Sequence, residues 1–277
     1  MSAASQETAV GVLLRDWRLR RRRSQLDLSL DAGISARHLS FVETGRSRPS
    51  PDMVERLAEH LDVPLRDRNT LLLAAGFAPQ HAERALDHAS MGPVREALDM
   101  VLRSHEPYPA AVVDRHWNLV SANAALGVLI EGVDPTLLAP PINVLRASLH
   151  PLGMAPRILN FEQWRGHLLH RLARQVALTG DAHLTSLLDE GRGYPAPDKD
   201  RRAGRDDHGN GYDGADPVDS GIAVPLRLRA GKHQLCFLST ITTFGTAIEI
   251  TASELSIESF FPGDKSTAEF LRALPLR

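Results

Sequence analysis

Between Val10 and Gly76 the chain sets helix starts, apolar stripes and stops in an order that leaves room for a bundle of short helices. Val10, Leu13, Leu14 and Trp17 line one face of a first helix. Ser24 with Asp27 three residues on forms an acidic variant of a capping box, where hydroxyl and carboxylate each take a backbone N–H. Leu28 and Ala32 give the second helix its buried side, and Gly33 suits the left-handed residue that ends it. Ser35 caps a third helix, whose Leu39 and Val42 face inward. Ser50, Pro51 and Asp52 supply cap, first-turn proline and acidic first turn to a fourth helix with the stripe Val54, Leu57, Ala58 and Leu61. A fifth covers Leu65 to Ala75 and stops at Gly76.

The second and third helices meet about a glycine turn, and the third turns Arg37, His38, Ser40 and Phe41 outward. That is the arrangement of a DNA-reading helix-turn-helix. The basic loop Glu43-Thr44-Gly45-Arg46-Ser47-Arg48 follows it. At Gln25, Leu28, Ser29, Gly33, Ile34, Leu39, Val42 and Glu43-x-Gly45-Arg46, residues 10–75 resemble the Cro/repressor-type helix-turn-helix of the XRE family. Ser29 departs from the alanine usual there, and both are small enough for close helix approach. The resemblance implies that Gln25 bonds a phosphate, that Arg37, Ser40 and Phe41 face base edges, and that Arg46 and Arg48 contact phosphates. Arginine takes guanine O6 and N7 together, and phenylalanine packs on a thymine methyl. Arg18 and Glu43 match a family pair that ties the first helix to the end of the third. Two readings stay open for Phe41, core packing or base contact, and for His38, phosphate or solvent. The implied partner is double-stranded operator DNA, bound by a homodimer because one recognition helix touches too few bases.

A formal net charge of −2 argues on average against nucleic acid. The average hides a local excess, with Arg15, Arg18, Arg20, Arg21, Arg22 and Arg23 set against Asp16 alone. Such a run is either a phosphate-binding surface or a solvated face.

The expected organisation is a helix-turn-helix domain over residues 1–78, a linker over 79–92 and a larger domain over 93–277, with a mobile loop near 191–221 that is rich in Gly, Asp and Arg. In the larger domain, strands are expected at Ala110–Asp114 and Trp117–Ser121. An amphipathic helix follows over Phe161–Leu178, then β-rich runs at Ile222–Leu228, Leu235–Thr243 and Ala247–Phe261. Two strands, intervening helices and three strands follow the order of a PAS-type sensor. The fold class is therefore α+β: an all-α five-helix domain, then a PAS-like antiparallel sheet flanked by helices.

This half also resembles the ligand-binding part of MmyB-like regulators. The likeness lies at Asp114-x-x-Trp117, Asn123, Asn143-x-x-Arg146, His150-Pro151, Pro156-Arg157 and Asn160-x-x-x-Trp164. It implies an apolar pocket for a small, fatty-acid-like effector. Asn123 and Arg146 are the polar contact candidates because the resemblance runs through them. Trp117 and Trp164 are candidates for the wall, with core packing as the competing reading.

No Gly-x-Ser-x-Gly, His-Glu-x-x-His, phosphate-binding glycine loop or Cys-x-x-Cys occurs, so no enzyme, cofactor or metal is expected. His167 and His170 share a helix face without an acidic or cysteine partner nearby and read as an ordinary polar face. Cys236, inside an apolar strand, reads as a small buried hydrophobe. Asp206-Asp207-His208-Gly209-Asn210-Gly211 is like a calcium loop but has Pro217 where the bidentate glutamate belongs. One cysteine, no bilayer-length apolar run and no signal-peptide order lead to the expectation of a cytoplasmic, nucleoid-associated protein with no membrane partner. Two other classes stay open for the second domain: a cofactor-binding or enzymatic domain, and a protein-interaction module.

Overall fold

The computed structural model describes residues 9–197, 224–244 and 249–275. They form two compact units, one reaching Met91 and taking in residues 249–253, the other running from Gly92 to Phe244 and resuming at Glu254.

The first unit is built from α1 (Ala9–Arg20), α2 (Gln25–Asp31), α3 (Ala36–Glu43), α4 (Pro51–His60) and α5 (Leu65–Ala74). Its starts are those expected: Asp27 N–H donates to the Ser24 hydroxyl at 3.0 Å, and the Asp27 carboxylate accepts the Ser24 N–H at 3.2 Å. Ser35 and Ser50 cap α3 and α4 in the same way. Gly33 takes φ +65° at the α2–α3 turn, where a β-carbon would be strained. Leu14, Trp17, Leu28, Leu39, Val42, Leu57 and Leu71 join in one core. Gly11 lets α1 approach the end of α3 closely, since a β-carbon there would lie 2.5 Å from the Val42 carbonyl oxygen.

The second unit begins with α6 (Gly92–Ser104) and then β1 (Ala110–Val113) and β2 (Leu119–Ala122). β2 starts two residues later than expected. Asp114 Oδ1 accepts the N–H groups of both His116 and Asn118, and Trp117 sits at φ +68°, so a side-chain-held turn takes the place of the strand's start. Then come α7 (Gly127–Ile130), α8 (Val144–Leu149), α9 (Phe161–Thr179) and α10 (Ala182–Gly193). α9 ends at left-handed Gly180, and the Asp181 carboxylate starts α10 by accepting from His183 and Leu184 N–H.

The expected loop over 191–221 thus opens inside a helix. From 198 onward it lies outside the described residues, as does Asp206–Gly211. β3 (Leu226–Ala230) and β4 (His233–Thr243) follow. The run expected as strand from Ala247 is interrupted by α11 (Ile250–Ser253), a helix of the first unit. The Glu249 carboxylate explains the break, accepting Ala252 N–H at 3.0 Å at the helix start and Arg84 N–H at 2.6 Å. Ile250 N–H donates to the Ala82 carbonyl at 2.9 Å. The chain resumes the sheet with β5 (Ser256–Pro262) and closes with α12 (Lys265–Arg272).

The strands form one antiparallel sheet in the order β2-β1-β5-β4-β3. Period-two alternation sends Ala111 and its cross-strand partner Glu258 to the same face. Trp164, Leu168 and Leu172 of α9 share one core with Phe237, Phe260, Leu226 and Leu228 of the sheet.

Candidate DNA interface and ligand pocket

In the first unit the residues near the end of α3 hold one another in place. Arg18 clasps Glu43 with Nε on Oε1 at 2.7 Å and Nη2 on Oε2 at 2.8 Å, and both residues are buried. Gln25 Nε2 donates to the same Oε2 at 2.8 Å. Gly45, at φ +74°, turns the chain so that Arg46 and Ser47 N–H both reach the Phe41 carbonyl, at 2.7 and 3.1 Å. The Glu43-x-Gly45-Arg46 signature is therefore a hinge pin: the acid locks α3 to α1, and the glycine folds the basic loop back onto α3.

Arg37, Arg46 and Arg48 are exposed on this segment, while His38, Ser40 and Phe41 are half-buried. Phe41 is absent from the apolar core of the unit. Its ring instead carries the Arg37 guanidinium at 5.3 Å and that of Arg46 at 5.9 Å. One Gln25 N–H is committed to Glu43, so a phosphate would have to use the other.

Much of the basic run is spent on structure. Arg18 is the buried partner of Glu43, Arg21 donates to the Leu61 and Asp62 carbonyls past the end of α4, and Arg23 pairs with Asp31. Arg20 and Arg21 also lie over Trp17 at 5.1 and 5.2 Å. For Arg18, Arg21 and Arg23 neither expected reading of the run holds, because their guanidinium groups are taken up by partners within the unit.

In the second unit, β1, β5, α7, α8 and α9 surround about 730 Å³ of empty space, its mouth included. Trp117, Leu129, Trp164, Leu168 and Phe260 are in its wall, which is apolar apart from Ser148 and Glu258. The Ser148 hydroxyl accepts from Trp164 Nε1 at 3.0 Å, and Trp117 Nε1 donates to Gln175 at 2.9 Å. Arg171 lies 4.3 Å from the Trp117 ring centroid and reaches Glu258 Oε1 at 3.4 Å. Burial, with Arg171 close by, pushes His167 below the ordinary histidine range, which favours its neutral form.

Two sequence candidates, Trp117 and Trp164, meet in this wall, and the other two do not. Asn123 ties α6 to the start of β1, accepting Ala110 N–H at 3.0 Å and donating to the Tyr108 and Leu102 carbonyls at 2.7 and 3.2 Å. Arg146 makes a two-pronged pair with Glu190, both contacts 2.8 Å, and its hydrogen bonds hold that carboxyl below its ordinary pKa. The remaining motif residues do similar work: Asn143 caps α8, Asn160 takes Arg227 N–H, and Arg157 gathers the Val128, Leu129 and Arg229 carbonyls. Sequence reasoning missed Glu258 and Arg171. A lone acid beside Ile257 and two residues before Phe260-Phe261, in a run that reads as strand, was the available signal.

Among the described residues no group of three or more His, Cys, Asp or Glu stands close enough to hold a metal ion, and no helix is long and apolar enough to cross a membrane. Cys236 is buried on β4, its N–H bonded to the Thr267 hydroxyl at 2.9 Å.

A search of curated proteins finds no match. Two family models do match: a helix-turn-helix over residues 14–67, and the MmyB-like transcription regulator ligand binding domain over residues 94–274. The first covers the capped helices around Arg37, and the second covers the sheet, the flanking helices and the pocket. A DNA-binding helix-turn-helix thus precedes a ligand-binding domain that takes up well over half the chain, and the chain belongs to the MmyB-like transcription regulators.

Proposed function

We propose that the protein is a cytoplasmic, nucleoid-associated homodimer that binds operator DNA through α3 and changes its affinity when an apolar ligand, fatty-acid-like in its hydrocarbon body, enters the pocket. No catalytic step belongs to this reading. The observation that carries it is the exposure of Arg37, Arg46 and Arg48 on α3 and the loop pinned to it, in a chain whose other unit holds an apolar pocket. Arg37 reads base edges, with Ser40 and Phe41 beside it; Arg46 and Arg48, with Gln25 and His38, position the phosphates.

An operator selected from a random pool tests the assignments. Arg37→Ala is expected to weaken the selected site far more than random DNA, by about 1–3 kcal/mol of discrimination. Arg46→Ala is expected to weaken both alike and to reduce the salt slope by about one. Equal losses on both DNAs for both variants would refute the division of roles.

Coupling follows the chain itself. β5 carries Glu258 and Phe260 of the pocket wall and comes directly after α11, which belongs to the first unit. Glu249 fixes α11 there through Arg84 N–H. Glu249→Ala is expected to leave ligand and DNA affinities within about threefold of the parent while abolishing the effect of one on the other, read by DNA titrations with and without ligand. An undiminished ligand effect would rule this route out.

A further inference from the structure

Among the described residues, Glu258 is the one ionisable residue of the pocket wall, and its surroundings bear on what the ligand carries at its polar end. The residue is 6% exposed, and the β1–β5 register places it beside Ala111, also in the wall. Arg171 reaches its Oε1 at 3.4 Å, a long and single-pronged contact. Its Oε2 has no hydrogen-bond partner among the described residues. The other polar wall residue, Ser148, already receives the Trp164 N–H. Among the described residues the second oxygen of this buried wall carboxylate has no donor, and a ligand in the pocket is a group that can bring one.

Resting on the pocket reading above, we propose that Glu258 selects a ligand whose apolar body ends in a neutral hydrogen-bond donor, such as a hydroxyl, and discriminates against an ionised carboxylate. A hydroxyl gives its proton to Oε2 and leaves the Glu258–Arg171 pair neutral. An ionised carboxylate sets a second negative charge beside Glu258 where few water molecules screen it, and it must share Arg171 with the acid already there. An ammonium satisfies Oε2 but adds a positive charge near Arg171, so the neutral donor fits best.

The test uses the full chain, with the fluorescence of Trp117 and Trp164 as reporter, titrated with 1-decanol and with decanoate at neutral pH. Decanol is expected to bind at least about tenfold more tightly. Glu258→Gln, whose amide matches the shape without the charge, is expected to bring the two within about threefold by raising decanoate affinity. Decanoate binding as tightly as decanol to the parent protein, or an unchanged ratio in a folded Glu258→Gln, overturns the proposal and leaves the pocket reading standing. If neither compound binds the parent protein, both fall together. Should the variant fail to fold, the parent ratio decides alone.

Discussion

Glu43→Ala is expected to destabilise the N-terminal unit by about 3–5 kcal/mol, the cost typical of removing one partner from a buried ion pair. Arg18 is 7% exposed and Glu43 3%, so water cannot replace the lost carboxylate. The guanidinium would keep only its contact to the Arg23 carbonyl, and Gln25 would lose its acceptor as well. Against a typical domain stability of about 5–15 kcal/mol, this is a large share. DNA binding should fall with it, since the pair holds the end of α3 against α1. Denaturant midpoints of the two units, followed separately by Trp17 and by Trp117 with Trp164, provide the measurement. The double variant Arg18→Met with Glu43→Leu should recover much of the loss, because no charge is left buried. A loss below about 1 kcal/mol for the single variant would mean that the pair is solvated.

Ala111→Phe is expected to lower ligand affinity by about a hundredfold or more while the second unit stays folded. Ala111 lies on β1 with its β-carbon on the pocket side, and a strand accepts an aromatic side chain readily. The ring would fill the space beside Trp117 and Glu258, at an overpacking cost of about 1–3 kcal/mol. Titration by tryptophan fluorescence reads the affinity. DNA binding by this variant should then ignore added ligand. Retained affinity would place the ligand elsewhere.

The helical half was legible because its signals are local. Ser24, Ser35, Ser50, Gly33 and Gly76 each decide a helix end within three residues of themselves, and the structure uses them as the sequence suggests. The sheet was legible as a set of strands, and its order needed the register. The run from Ala247 misled because Glu249 competes for backbone N–H groups that a strand would have used.

The pocket was harder, since wall and core draw on the same apolar residues. The resemblance motifs drew attention to Asn123 and Arg146, whose polar groups are spent on holding backbone and helices together. Glu258 was hidden because its role depends on facing Ala111 across the sheet, a contact between residues far apart in sequence. The arginine run misled in the opposite way, as charge count says nothing about carbonyls such as those of Leu61 and Asp62 waiting nearby.

One measurement decides whether occupancy of the pocket alters DNA binding. Gently purified protein would be weighed by native mass spectrometry, and its affinity for a selected operator measured before and after any bound small molecule is stripped and then restored. A lipid-sized mass that departs on stripping, a changed operator affinity, and its return on restoring the ligand are the expected results. Operator affinity that stays the same across loading, stripping and reloading would contradict the proposed coupling.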